Sequence, residues 1–378
     1  MYFYLFFGLM FLFFSVSVRT EEDSRSRKLT AGLFFFIVFL FTGLRSPEVG
    51  NDSMQFYQAY TRICGLSWTD HSKERYEWGF FALCKLLGIF FPHPQTIFIF
   101  TAMVFSASVY RFILLYSRNS ALSCFLFLFL NLWAVYVNLM RQILALCIIL
   151  YSIKFLQNGK NLRFCVGVAS ASLFHRSAWI CLIMLFFYRQ RFSVKAVLVF
   201  IPFTAFCFWQ YDRIFSLAAF VLNRYSGYRT SEQFGKSNYL GMLFNVGICL
   251  AILLYGALLR HGKGTDALEP LSEDFQIYML LCCLFCYVLG MRMYILSRIT
   301  PYFTIFYLSW LGAAEPFVKM EAIPLLPADP RHPKIFLKRV YPLETHLTAL
   351  TAVVYFCVIH LFRPEWQGII PYLFFWQE

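Results

Sequence analysis

The chain has 378 residues, of which 60% are hydrophobic and only 14% are charged, and its mean hydropathy is +0.61. Soluble domains carry about 45–50% apolar and ~25% charged residues, so this composition excludes a set of soluble domains and indicates a polytopic membrane protein. The 33 Lys and Arg exceed the 20 Asp and Glu, which gives a formal charge of +13. The positions of these Lys and Arg residues along the chain are the main indication of function.

Apolar segments between charged residues, Gly and Pro predict an all-α integral membrane protein with about 11–13 transmembrane helices, since a span needs about 20 residues. The first segment lacks the basic start and the small-residue cleavage site of a secretory signal, so we expect a retained helix. The predicted spans are 1–18, 30–44, 96–116, 121–139, 141–156, 164–175, 177–188, 196–209, 239–259, 275–291, 299–314 and 345–362.

These spans form a single transmembrane domain over residues 1–378, with loops on two faces. We predict outer loops at 45–95 and 210–238 and cytoplasmic loops at 260–274 and 315–344, the last with an irregular, proline-rich linker at 323–333. The cytoplasmic face carries 18 Lys and Arg and the outer face 14, with Arg111 inside a span. By the positive-inside rule, both termini are therefore outside.

Eleven of the 14 basic residues on the predicted outer face are Arg. A guanidinium group binds a phosphate through two parallel hydrogen bonds, whereas Lys acts as a point charge. Several of these Arg adjoin apolar segments, where an unpaired charge costs about 2.5–3.5 kcal/mol. An anionic partner should offset them, and the alternatives are an internal carboxylate, a lipid headgroup and a phosphorylated substrate.

The first outer segment contains candidate functional residues in two places. Arg45 directly follows the second span, and Gly50 permits a tight turn before Asp52 and Tyr57. Asp52 is placed to cap the helix that follows. A 15-residue apolar stretch then begins at Glu77, too short to span, which predicts an extracytoplasmic interfacial or re-entrant helix. Glu77 is either a helix cap or an acidic catalytic group.

Two further polar segments interrupt apolar runs. Arg141 and Gln142 lie between two such runs, and we expect their side chains to face a wet cavity. His175 and Arg176 follow a run of Ala and Ser residues, which permits close helix packing. His175 is either a structural hydrogen-bonding residue, which is the more common case for a lone His in a span, or a catalyst, and its position beside Arg176 adds weight to the second interpretation.

The last polar segments lie towards the C terminus. If residues 292–302 form an α-helix, Arg292 and Arg298 lie about 120° apart, and Arg298 shares a face with Tyr302. Pro301 should kink the start of the next span. The aromatic C-terminal tail, residues 366–376, is typical of a membrane interface.

In this order, the motifs resemble the EpsG family of polytopic proteins of exopolysaccharide and O-antigen assembly. The resemblance covers about residues 40–378. It rests on VGNDSMQFY at 49–57, YEWGF at 76–80, MRQILA at 140–145, ASLFHRSA at 171–178, SRITPYF at 297–303 and IIPY at 369–372. Asn51 and Ser53 stand where the family more often has Thr, and the N-terminal segment is an extension without an assigned role.

The resemblance implies a Wzy-type oligosaccharide repeat-unit polymerase of the bacterial plasma membrane, compatible with a GT-C-like architecture and with an active site that faces the exterior. Such an enzyme transfers a growing glycan from one polyprenyl pyrophosphate to the sugar of another lipid-linked repeat unit. The expected partners are that lipid-linked oligosaccharide and membrane lipids, with a chain-length regulator as a further candidate. We expect no cofactor and no metal.

The resemblance and the outer-face charges together assign roles to eleven residues. Tyr57, Gln142 and Tyr302 are expected to position phosphate or sugar hydroxyls. A general base must deprotonate the acceptor hydroxyl, and Asp52, Glu77 and His175 are the candidates. The arginines expected to bind the pyrophosphate are Arg45, Arg141, Arg176, Arg292 and Arg298.

Two other functions fit a membrane protein of this kind. An outer-face glycan ligase or acyltransferase would use the same type of cavity on another acceptor. A lipid-linked oligosaccharide flippase or transporter is disfavoured, because the sequence has neither internal repeats nor a matching inner-face cluster. Nucleic-acid binding is not expected, because the basic residues are dispersed over short loops on two faces.

Overall fold

The computed structural model describes residues 6–8, 10, 24–214, 216, 239–260, 271–315, 319–324, 335–340 and 342–377. Over these residues, the chain is an all-α polytopic membrane protein with one additional β-hairpin. Six of the described helices are long and apolar enough to cross a membrane. The chain divides into unit 1, Met1–Cys147 with Leu311–Glu378, and unit 2, Ile148–Trp310.

Unit 1 contains most of the predicted outer-loop residues and both chain ends. Its strands β1 (Lys319–Pro324) and β2 (Ile335–Val340) pair antiparallel, with Lys319 opposite Val340. Its helices are α1 (Ser24–Gly43), α2 (Ser53–Gly65), α3 (Trp78–Phe90), α4 (Gln95–Tyr116), α5 (Ser120–Phe129), α6 (Leu132–Val137), the start of α7 (Met140–Gln157) and α15 (Leu343–Phe362), with 3₁₀ turns at Trp68–Lys73 and Trp366–Gly368.

An aromatic core holds unit 1 together. Trp133 is fully buried and donates its indole N–H to Thr42 Oγ1 at 2.8 Å, so its polar edge is satisfied inside the core. Phe6, Phe41 and Tyr372 surround these residues. The core therefore joins the N-terminal segment, α1, α6 and the C-terminal tail.

Unit 2 contains the rest of α7 and the helices that follow it. Ser272 caps the helix Glu273–Gly290 by accepting a hydrogen bond from the Phe275 N–H at 3.3 Å. Its elements are α8 (Asn161–Ser172), a 3₁₀ helix (Arg176–Leu182), α9 (Ile183–Phe187), α10 (Val194–Trp209), α11 (Tyr239–Arg260), α12 (Glu273–Gly290), a 3₁₀ helix (Tyr294–Ile299), α13 (Pro301–Thr304) and most of α14 (Phe306–Leu311).

Trp310 anchors the packing of unit 2. Its indole N–H donates to the Ile252 carbonyl at 3.0 Å. A Cβ added at Gly256 would lie 2.0 Å from that nitrogen, so only glycine leaves room for the ring. Arg260 covers the same ring, with its Cζ 3.9 Å from the centroid.

Most predicted spans coincide with helices, but three predictions need correction. The predicted span 121–139 is divided into α5 and α6 at Asn131, whose φ of 58° is incompatible with a continuous helix. The predicted span 299–314 consists of short helical pieces. The predicted linker 323–333 begins inside β1, and its residues 325–333 lie outside the described residues.

Other predicted segments fall partly or wholly outside the described residues. Of the first predicted span, only residues 6–8 and 10 are described. Of the predicted loops, residues 215, 217–238, 261–270, 316–318, 325–334 and 341 are not described. Within 45–95, the structure has α2 and α3, and α3 occupies the position predicted for a short non-spanning helix.

Candidate functional site

In unit 1, the loop after α1 makes a tight turn at Gly50. Its φ is +99°, and a Cβ there would lie 2.8 Å from both Asn138 Oδ1 and Ser53 Oγ, so glycine is required. The Gly50 N–H donates to the Gly368 carbonyl at 2.7 Å, which ties the loop to the C-terminal tail. Asn138 Nδ2 in turn donates to the Gln367 backbone and side-chain oxygens, each at 2.9 Å.

Arg45 lies inside unit 1, with 2% of its surface exposed. Its guanidinium donates to the Thr42 carbonyl and, at 3.4 Å, to Ser53 Oγ and the Val137 carbonyl. Burial lowers the pKa of Arg45 to about 10. Because these donors bind the protein itself, the geometry favours a structural role over the predicted role in phosphate binding.

Asp52 and Tyr57 lie at the start of α2. Asp52 occupies the predicted N-cap position, is half-buried and makes no side-chain capping hydrogen bond. Tyr57 is also half-buried, and its ring lies 6.1 Å from that of Phe98 and 6.4 Å from that of His93. Both predicted residues therefore retain partial access from outside unit 1.

A charged cluster surrounds Tyr76. The Arg141 guanidinium donates to the Glu77 carboxylate in an ion pair, with 23% and 12% of the two side chains exposed. The Arg75 and Arg141 guanidinium carbons lie 5.1 and 4.9 Å from the centre of the Tyr76 ring. Arg75 also donates to the Tyr76 hydroxyl at 3.0 Å. We call Arg75, Tyr76, Glu77 and Arg141 the Arg141 cluster.

The residue after Arg141 has a different environment. Gln142 is only 3% exposed, so of the predicted pair facing a wet cavity, only Arg141 keeps substantial accessible surface. The sequence motifs gave no role to Arg75 or Tyr76. The signal for them was their place directly before Glu77, where the apolar stretch of α3 begins.

In unit 2, a break between two helices contains a half-buried histidine. Helix α8 ends at Ser172, and His175, with extended φ and ψ of −153° and 118°, begins the 3₁₀ helix Arg176–Leu182. His175 Nδ1 lies 2.5 Å from Ser177 Oγ, and Ser177 Oγ lies 3.2 Å from the buried hydroxyl of Tyr302. We call these three residues the His175 network.

The His175 network has two hydrogen-bonding arrangements, set by the imidazole tautomer. With its proton on Nε2, Nδ1 accepts from the Ser177 N–H at 3.4 Å. With its proton on Nδ1, the ring donates to Ser177 Oγ, Ser177 donates to Tyr302, and Nε2 carries the basic lone pair. Ser177 is the residue that sequence reasoning missed, although it lies inside the ASLFHRSA motif.

The remaining predicted arginines also lie in unit 2. Arg176 is exposed beside His175. Arg292 forms a 3.5 Å ion pair with Asp212, and its guanidinium carbon lies 5.4 Å from the centre of the Phe208 ring. A hydrogen bond with the Tyr239 side chain raises the pKa of Arg292.

The α-helical spacing predicted for these arginines is wrong. Arg292 lies in a turn after α12, Arg298 belongs to the 3₁₀ helix Tyr294–Ile299, and Tyr302 belongs to α13. The angles of a continuous α-helix therefore do not apply. Pro301 is the first residue of α13, where its fixed φ suits a helix start.

The structure thus brings together Glu77 with Arg141 in unit 1, and His175 with Tyr302 in unit 2. The predicted gathering of Arg141, which lies in unit 1, with the arginines of unit 2 around one pyrophosphate stays a prediction. The roles predicted for Asp52, Tyr57 and Gln142 also stay predictions.

A model of the EpsG family matches residues 28–318. The chain belongs to the EpsG family. No curated protein and no solved structure matches the chain. The family supports a coarse function, that of a multi-pass membrane protein of polysaccharide biosynthesis of the polymerase type.

The EpsG match includes both the Arg141 cluster and the His175 network. It ends before the hairpin and the C-terminal tail, although the resemblance of the motifs extends to IIPY at 369–372. The tail is not simply an interfacial anchor, because Ile369 and Tyr372 are 0% and 2% exposed in the core of unit 1.

Proposed function

We propose that this EpsG-family protein polymerises polyprenyl-pyrophosphate-linked oligosaccharide repeat units at the outer face of the bacterial plasma membrane. One observation carries the proposal beyond the family: an imidazole at a helix break, hydrogen-bonded through Ser177 to the buried Tyr302 hydroxyl and followed directly by an exposed arginine. A proton acceptor and a phosphate-binding cation are the two groups that this transfer needs.

In the proposed step, the acceptor sugar hydroxyl attacks the anomeric carbon of the donor glycan. A new carbon–oxygen bond forms, and the bond from that carbon to the pyrophosphate breaks. The polyprenyl pyrophosphate leaves with the electron pair, and His175 Nε2 takes the hydroxyl proton while Nδ1–H donates to Ser177. This assignment selects His175 over Glu77, because the Glu77 carboxylate is bound by Arg141.

Arg176 and Arg298 are proposed to stabilise the charge that develops on the leaving pyrophosphate. A guanidinium offers paired donors to phosphate oxygens, and preorganised donors at a developing anion contribute about 2.7–4 kcal/mol each in well-studied cases. The leaving group is already activated, so the proposed step uses no cofactor.

The length of the surface polysaccharide tests this function in a strain that lacks the chromosomal gene and carries Arg176→Ala or Arg298→Ala. We expect single repeat units in place of polymer. Arg363→Ala is the matched control, because Arg363 is an exposed arginine on the same predicted face. Full-length polymer from normally expressed variants would refute the proposal, and loss of even the single unit would indicate a ligase.

A further inference from the structure

The Arg141 cluster contains one carboxylate, that of Glu77, and two guanidinium groups, those of Arg75 and Arg141. Glu77 is bound by Arg141, while Arg75 and Arg141 both lie over the Tyr76 ring. The four side chains carry two positive charges and one negative charge, so the cluster keeps an excess of positive charge. Tyr76 is 4% exposed, and its fixed ring orients both guanidinium groups.

The Glu77 carboxylate occupies a position that suits a larger anion. It lies at the N-cap of α3, a helix of 13 residues, without making a side-chain hydrogen bond to the first turn. The positive end of the helix dipole favours negative charge there. A diphosphate carries more negative charge than one carboxylate and offers more acceptor oxygens, so it can compete for the same guanidinium donors.

Helix α3 also indicates that such an anion is attached to a lipid. Its exposed surface is apolar: Trp78, Leu86, Ile89 and Phe90 are 53%, 54%, 65% and 75% exposed. A helix with apolar residues on its exposed surface suits a position against acyl or prenyl chains. An anionic headgroup at its first residues and a hydrocarbon chain along its length would satisfy both features.

We propose that Arg75 and Arg141 bind the diphosphate of a polyprenyl-linked substrate, and that Glu77 is an exchangeable counter-ion which the diphosphate displaces from Arg141. The inference rests on the proposed function for the identity of the lipid. It gives Glu77 a role different from that of a base, because its carboxylate competes with the substrate instead of taking a proton from it.

The exchange predicts opposite effects of the two halves of the ion pair. The purified full-length protein in detergent is titrated with farnesyl diphosphate, a short prenyl diphosphate. Glu77→Gln removes the competitor and should lower Kd three- to tenfold. Arg141→Gln should raise Kd at least tenfold, and Arg75→Gln about threefold.

Arg118→Gln is the matched control, because Arg118 forms an ion pair with Glu315 at 3.4 Å elsewhere in unit 1. Its Kd should equal that of the wild type. Each variant is first shown to unfold cooperatively on heating, so that lost binding is not lost folding. A Kd unchanged or raised in Glu77→Gln, or unchanged in a folded Arg141→Gln, would overturn the exchange.

Two further titrations separate the sources of the phosphate. Inorganic pyrophosphate should bind more weakly than farnesyl diphosphate but with the same ranking of variants. Phosphatidylglycerol in mixed micelles should compete poorly, and competition equal to that of farnesyl diphosphate would identify a general phospholipid site instead. Because these measurements form no polymer, equal Kd values for all variants would remove this site and leave the polymerase proposal standing.

Discussion

The Arg141 cluster of unit 1 and the His175 network of unit 2 differ in their chemistry. The first consists of charges, with a guanidinium bound to a carboxylate over an aromatic ring. The second consists of an imidazole and two hydroxyls that are joined by hydrogen bonds. Charged groups in fixed pairs suit the binding of anions, whereas a chain of tautomeric and hydroxyl groups suits the movement of a proton.

This difference predicts which measurement responds to substitution in each place. Removing one charge from the Arg141 cluster leaves the other charge without its partner, so stability and affinity should change. Removing a member of the His175 network leaves mainly neutral groups, so the rate of reaction should change while the protein stays folded.

The largest expected effect is on polymer formation, and it distinguishes the His175 network from the Arg141 cluster directly. His175→Gln should reduce polymer formation at least 100-fold, since positioned general bases contribute about 10²–10⁴ in rate. Glu77→Gln should still make polymer. Polysaccharide length and membrane abundance of both variants are measured in the strain that lacks the chromosomal gene. Polymer from His175→Gln with none from Glu77→Gln would identify Glu77 as the base instead.

The second effect concerns stability in the Arg141 cluster. Arg141→Gln leaves a mostly buried carboxylate without its cation, which should cost about 1–3 kcal/mol of unfolding free energy. The double variant Glu77→Gln with Arg141→Gln removes both charges and should recover most of that loss, as measured by thermal unfolding in detergent.

Polymer formation is measured for the same single and double variants of Glu77 and Arg141 as a control. The double variant should remain defective in it, because neither neutral amide binds a diphosphate as a guanidinium does. A double variant that polymerised normally would show that the pair is structural alone.

A smaller effect tests the link between His175 and Tyr302. Ser177→Ala removes the hydroxyl between them and should reduce the polymerisation rate about tenfold, while Ser177→Thr, which keeps a hydroxyl, should restore it. Tyr302→Phe should have a similar effect, and the double variant should be little worse than either single variant, because residues of one network are not additive. Fully additive losses, with KM changed and kcat unchanged, would instead indicate separate contacts with substrate.

The sequence predicted most helices correctly, because apolar length is a local property that a linear pattern records. Helix α2 was predicted only as the helix that Asp52 would cap, without bounds, because a 13-residue helix in a polar segment has no such pattern. The division at Asn131 was also missed, since its left-handed backbone has no signal that distinguishes it from a surface asparagine.

The candidate sites were predictable only in part. The motifs identified His175 and Tyr302 as candidates. The hydrogen bond from Ser177 to Tyr302, however, joins residues that lie 125 positions apart in the sequence. The sequence also groups Arg45 with the candidate substrate-binding arginines, and the structure adds that backbone carbonyls and Ser53 bind its donors inside unit 1. Tertiary contacts of this kind are set by packing, which the local pattern does not record.

The smallest expected effect tests the C-terminal tail. The tail lies beyond the EpsG match and belongs to neither the Arg141 cluster nor the His175 network. Gln367 has a φ of 66°, and its side-chain oxygen accepts from Asn138 at 2.9 Å. Gln367→Ala loses that hydrogen bond and keeps the unfavourable backbone, so the unfolding free energy should fall by about 1 kcal/mol. Gln367→Gly loses the same bond but relieves the backbone, so it should stay close to the wild type.

For a chain of 378 residues, about 1 kcal/mol corresponds to a fall in Tm of about 1–2 °C, which thermal unfolding in detergent resolves. Gln58→Ala is the control, because Gln58 is an exposed glutamine on α2 in the same unit. If the alanine and glycine variants lost equal stability, the amide contact alone would hold the tail on the Gly50 loop. If only the alanine variant lost stability, the backbone of the tail would matter more than the Gln367 side chain. The tail would then hold Gly50 through the bond from its N–H to the Gly368 carbonyl, which every variant keeps.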